Sequence, residues 1–140
     1  MSVDREQFAE LMERLARAWS EQDTELGLSC FTEDAVYMEP PDIQLYLGHD
    51  QLRPYFAALT PGTFMRFHNL GFDEETQVGM GEYTFGEEAD ETADHGVAVV
   101  ELRDGRIAHW REYQRKGPVL FSTFVAVEGK KWQWHIGNYP

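Results

Sequence analysis

Cysteine, positive charge and long apolar runs are all scarce in this 140-residue sequence, and each shortage closes off a class of protein. Cys30 is the single cysteine, so no internal disulfide can form. A chain of this length buries roughly two thirds of its unfolded surface without one. Flanked by Leu28 and Phe31, Cys30 reads as a buried structural residue rather than a reactive thiol, which would want a histidine or cation beside it. Twelve Lys and Arg stand against 25 Asp and Glu, a formal net charge of −13. Such a surface repels phosphate backbones and anionic lipid, so neither nucleic acid nor membrane is expected as a partner. No run of about 18 apolar residues is available to span a bilayer. The opening Met1-Ser2-Val3-Asp4-Arg5-Glu6 has no apolar core of the signal-peptide kind, and with the lone cysteine this leads to a cytoplasmic expectation. His49, His68, His95, His109 and His135 show no metal-ligand spacing, and Gly79-Met80-Gly81 lacks the remaining glycine and following helix of a nucleotide loop. No metal and no cofactor is therefore expected.

What is present, 42% hydrophobic and 14% aromatic residues, is the composition of one globular domain over residues 1–140. Phe8, Leu11, Met12, Leu15 and Trp19 keep a helical period after a capping-box-like Asp4 and Gln7. Asp23 caps a short second helix carrying Leu26, Leu28 and Phe31, and Thr32-Glu33-Asp34 breaks it before a strand at Ala35–Glu39. Pro40-Pro41 ends that strand and holds Glu39 extended. Residues 43–47 form a second short strand, and Gly48-His49-Asp50 opens a third helix through Leu59, with Pro54 in its first turn. The period then changes to two. Residues 63–72, 77–85, 95–103 and 106–115 alternate as strands of an antiparallel meander, with a hairpin turn at Asp104-Gly105. The acidic stretch from Glu87 to Glu91, continuing to Asp94, reads as a solvated loop. β-branched and aromatic content favours a strand over 119–127, although Phe121, Phe124 and Val125 also share a helix face; Trp132–Ile136 alternates and would close the sheet. The fold class is α+β: three N-terminal helices packed on a curved antiparallel sheet as a cone around a pocket.

Four stretches carry a specific resemblance: Trp19-Ser20-Glu21-Gln22-Asp23, Phe31-Thr32-Glu33-Asp34-Ala35-Val36-Tyr37, Gly48-His49-Asp50-Gln51-Leu52, and Asp104 through Tyr113 with its Ile107-Ala108-His109-Trp110-Arg111-Glu112 core. In order and over residues 5–115, they resemble the SnoaL-like branch of the nuclear transport factor two-like superfamily. The resemblance implies a cone-shaped pocket and a homodimer, in a family whose members include polyketide cyclases, ketosteroid isomerase, limonene epoxide hydrolase and non-catalytic binding or assembly domains. Tyr37-Met38-Glu39-Pro40 is similar to the hydrolase's Tyr-x-Asn-x-Pro and to the isomerase's basic aspartate before a proline, which implies Tyr37 and Glu39 as site residues. Trp110-Arg111-Glu112-Tyr113 is similar to the hydrolase's Trp-Arg-Asp-Tyr, whose aspartate activates water; Glu112 takes that place. On the central strand, Glu82 and Thr84 align with the hydrolase's Arg-x-Asp pair, and Leu15 and Ala98 with the isomerase's oxyanion donors.

Strand alternation puts Ala108, Trp110 and Gln114 on the side of Glu112, with Val78, Met80, Glu82 and Thr84 on one face of the preceding run and Gly96, Ala98 and Val100 on another stretch of it. Trp19, Phe56, Thr84 and Trp110 are then the expected substrate-binding positions, with Tyr37 a further wall. Convergence of Glu39, Glu82 and Glu112 in an apolar cavity would separate their pKa values, setting a base beside an acid with Tyr37 as orienting donor. Two functions follow from this pattern. One is an acid–base enzyme of isomerase, cyclase or hydrolase type acting on an apolar metabolite. The other is a ligand-binding or assembly domain whose outer sheet face, with His95, Val97, Val99, His109 and Tyr113, makes a homodimer.

Overall fold

The computed structural model describes residues 1–126 and Gly137; the expected strand at Trp132–Ile136 lies outside them. Helix α1 (Arg5–Glu21) starts where expected, with the Asp4 carboxylate accepting from the Gln7 backbone N–H and Gln7 returning the bond to the Asp4 N–H. Its apolar stripe of Phe8, Leu11, Met12, Leu15 and Trp19 is buried. Helix α2 (Thr24–Ser29) is capped by Asp23. It is shorter than its pattern suggests, because Phe31 already belongs to strand β1 (Phe31–Glu39). Thr32-Glu33-Asp34 thus lies within the strand.

A tight turn returns β1 into β2 (Gln44–Leu47), where Leu45 and Leu47 stay exposed, and Gly48–Ala57 forms α3. Pro54 is the seventh residue of that helix and so lies in its second turn, a correction to the first-turn placement. Strands β3 (Thr63–Asp73), β4 (Val78–Glu87), β5 (Thr92–Arg103) and β6 (Arg106–Pro118) form the antiparallel meander. The sheet order is β2-β1-β6-β5-β4-β3. One expectation changes here: β1 joins β6 in parallel, so the sheet is not wholly antiparallel. Residues 121–124 form a single helical turn, α4 (Phe121–Phe124), instead of strand.

The sheet curls around its helices. β3 and β6 are three strand spacings apart, about 14 Å on a flat sheet, yet the rings of Phe67 and Trp110 lie 6.5 Å apart. Curvature is concentrated at a bulge in β3, where Phe67 pairs with Tyr83 but Asn69 pairs with Glu82, leaving His68 as the extra residue. Before the bulge Met65 and Phe67 face the core; beyond it Leu70 and Phe72 do, with Phe72 stacked on Phe8 at 4.5 Å.

The inward side of β4 is also opposite to the expected one. Gly79, Gly81 and Tyr83 face the helices, while Met80 is half exposed on the outer face. Neighbouring side chains explain this: a Cβ on Gly79 would come within 2.2 Å of Phe8, and one on Gly81 within 2.9 Å of Phe67. Aromatic rings already fill that space, and only glycine leaves room for them. Among the described residues, no helix is long and apolar enough to cross a membrane.

Candidate active site

Where the inner faces of β1, β6, β5 and β4 meet α3, they enclose a cavity of about 400 Å³. The walls include Tyr37, Tyr55, Leu59, Met65 and Phe85; the polar groups are Glu39, Gln44, Asp94, Glu112 and Gln114. Glu112 projects inward from the middle of β6, opposite Ala98 on β5, and is only 3% exposed. A carboxylate so enclosed is stable only when its lone pairs are occupied. Here Oε2 accepts from Trp110 Nε1 at 3.0 Å, Tyr37 OH at 3.1 Å and Tyr83 OH at 3.3 Å, while Oε1 accepts from the Gln44 side-chain amide.

Burial wins over these donors. It pushes the Glu112 carboxyl up to about 7, with the nearby Glu39 adding to the rise and the indole and phenol donors opposing it. Glu39, at the end of β1, is also raised, first by burial and then by Asp94, but is far less enclosed. The two carboxyls are linked through side chains: Gln114 Nε2 donates a long 3.5 Å bond to Glu39, and Tyr83 OH reaches Gln114 Oε1 at 2.6 Å. Since the Tyr83 hydroxyl has one proton, it serves Gln114 or Glu112 at any moment. Burial and the Glu112 charge raise the phenols of Tyr37 and Tyr83, keeping both protonated as donors.

The remaining expected positions divide. Trp19, Phe56 and Trp110 are completely buried behind the cavity wall, where Trp19 Nε1 donates to Tyr55 OH at 2.9 Å and Trp110 stacks on Tyr37 at 5.6 Å. They shape the site from behind. Glu82 and Thr84 lie on the opposite face of the sheet. Glu82 accepts from Asn69 at 2.8 Å, and Thr84 stands between His68 and His95 at 2.7 and 2.8 Å. His95 Nε2 meets the Pro118 carbonyl at 2.7 Å and must carry the proton, so Nδ1 accepts from the Thr84 hydroxyl, which in turn accepts from His68. Phe121 and Phe124 of α4 stack on His68 and His95 at 3.8 and 4.1 Å and cover this chain.

Sequence reasoning missed Asp94, Tyr55, Tyr83 and Gln44. Asp94 was assigned to a solvated loop, but β5 begins at Thr92 and carries it to the cavity. Strand parity counted back from Gly96 would have found it. Cys30 is fully buried, and burial pushes its thiol up, as expected of a structural cysteine.

A curved, unclosed six-stranded sheet wrapped around its helices is the arrangement of the nuclear transport factor two-like fold. Residues 12–110 match the SnoaL-like domain, and the chain belongs to that family. Solved structures share the fold. One is a protein of unknown function with a cystatin-like fold from Methylobium petroleophilum PM1, at 17% identity and TM-score 0.73, covering 100% of this chain and 99% of that one. An epoxide hydrolase of the LEH-like type from M. tuberculosis aligns at 18% identity and TM-score 0.65, covering 78% and 83%. An NTF-2 like protein of unknown function from Burkholderia xenovorans LB400 aligns at 15% and 0.67, covering 88% and 95%. No curated protein matches the chain. The inward positions of β4 are Gly79, Gly81, Tyr83 and Phe85, so no arginine stands on that strand to tie two carboxylates together.

Proposed function

We propose that the protein is an acid–base enzyme of isomerase, cyclase or hydrolase type acting on an apolar, ring-containing or carbonyl-bearing metabolite held in the cavity. One observation carries the reading: a buried carboxyl, Glu112, pushed up to about 7 while Trp110, Tyr37 and Gln44 donate to it and Tyr83 alternates between it and Gln114. A group that titrates at neutral pH both takes and returns a proton with little bias. In this reading Glu112 is the base, Tyr37 donates to it while it is ionised and to the substrate oxygen once Glu112 holds the proton, and Glu39 at the rim is the acid or second base. Different environments separate the two carboxyls, which divides their roles. A purely structural floor gains nothing from burying a charge. Residues 1–140 act as one domain. The exposed Met80, Val97 and Tyr113 of the outer face make a homodimer contact, and the single buried cysteine suits a reducing cytoplasm.

The test is proton exchange, which needs no knowledge of the net reaction. In D2O, with a panel of cyclic ketones and ring epoxides, the wild type should catalyse deuterium uptake beside the carbonyl or hydration of the epoxide. Glu112→Gln should lose it, and Glu82→Gln, altered on the opposite face, should keep it. Ligands that raise the melting temperature without exchange or product would instead make the protein a binding domain.

A further inference from the structure

The charge of the cavity is one-sided. Among the described residues lining it, Glu39, Asp94 and Glu112 are carboxylates, and none is a lysine, arginine or histidine. Lys116 lies 3.4 Å from Asp94, but it lines a neighbouring cavity of about 300 Å³ in which Glu87, Asp90 and Asp94 outnumber it. The adjoining surface is therefore acidic as well. Between the carboxylates, Tyr37, Tyr55, Phe85, Met65 and Leu59 give an aromatic and aliphatic wall. An anionic ligand would enter against the Glu39 and Asp94 carboxylates, with Glu112 behind them and no cation lining the cavity to receive it. A cation would meet opposite charge at the rim and ring systems further in, and low-dielectric walls strengthen both effects.

We infer that this cavity selects a ligand with an ammonium head on an apolar body and rejects carboxylates and phosphates. The inference rests on the acid–base reading of the same site and adds the substrate class. The amine is held by Glu39 and Asp94 at the rim, which directs the apolar portion inward to Glu112. Asp94 is thereby a specificity-determining residue, placed by the strand pairing of Phe85 with Asp94 and of Asp94 with Lys116.

The test compares three probes with the same three-carbon chain by calorimetric titration of the full chain at pH 7: 3-phenylpropan-1-amine, 3-phenylpropan-1-ol and 3-phenylpropionate. The amine should bind at least about tenfold more tightly than the alcohol, and the carboxylate more weakly than either. The preference for amine should shrink at least about threefold in Asp94→Asn and again with added salt. Equal or tighter binding of the alcohol or carboxylate, a preference untouched by Asp94→Asn, or no binding of the amine would overturn the inference. The pH titration of the Glu112 side-chain carboxyl, followed by carbon NMR in the same samples, separates this failure from that of the acid–base reading. A midpoint near 7 keeps that reading whichever probe binds. An ordinary carboxylate midpoint removes it, while the amine preference is still decided by the titrations.

Discussion

Replacing Glu112 by glutamine keeps the shape of the side chain and removes its charge, and the sign of the resulting stability change depends on pH. In the folded protein the carboxyl titrates at about 7, against an ordinary 4.5. The folded state thus binds more protons than the unfolded state between those values, and stability falls as pH rises through the window. Below about pH 4.5 the group is neutral in both states and costs nothing. Above 7 it is ionised in both, and the full difference of about 2.5 pH units is about 3 kcal/mol of destabilisation in the wild type. Glutamine escapes that cost. Its oxygen can accept from Trp110, Tyr37 and Tyr83, and its amide can face Gln44 once the Gln44 amide turns over. Glu112→Gln should therefore unfold within about 1 kcal/mol of wild type at pH 4.5, yet be more stable by up to about 3 kcal/mol at pH 8, roughly 10 °C in melting temperature. Urea unfolding of both proteins at several pH values measures this, since titrating groups that do not feel Glu112 cancel in the difference, and the coupled Glu39 adds only a smaller change of the same sign. A difference that stays flat from pH 4.5 to 8, or a glutamine variant that is less stable at pH 8, would refute the assignment of a destabilised, ionisable Glu112.

Two further substitutions probe the surroundings of the carboxyl. Tyr37→Phe removes the 3.1 Å donor to Glu112, which raises the carboxyl further, so the acidic limb of the activity profile, where the base loses its proton, should move to higher pH, and turnover should fall roughly 10- to 100-fold with affinity nearly kept; an unmoved profile would show that Tyr37 is only a wall. Gly96→Ala should cost about 1–3 kcal/mol, because its Cβ would stand 2.4 Å from the Tyr113 carbonyl oxygen and 2.9 Å from Tyr83 OH. Chemical unfolding checks the magnitude, and a neutral effect would mean the inner face of β5 is looser than its contacts imply.

Local patterns settled much of this protein in advance. The capped helix α1, the break at Pro40-Pro41, the hairpin at Asp104-Gly105 and the four long strands are all encoded within a few residues of where they form, because capping, turn geometry and period are short-range properties. Alternation along β6 likewise put Trp110, Glu112 and Gln114 on one side, and they share it. Other features depended on contacts between residues far apart in the chain. Which face of β4 turns inward was decided by Phe8 and Phe67 needing the space over Gly79 and Gly81, so Glu82 and Thr84 went outward. The extra residue at His68 reverses the parity of β3 midway, and a one-residue slip moves every later side chain to the other face. Phe121 and Phe124 coil into α4 to cover the His68–Thr84–His95 chain, where β-propensity alone favours a strand. The pairing of Glu39 with Asp94 rather than Glu82 and the burial that shifts Glu112 belong to the same category. The sequence by itself determined most of the elements and the residue types available for chemistry. The curl of the sheet decided which of them meet, since burial and mutual distance are properties of the assembled chain.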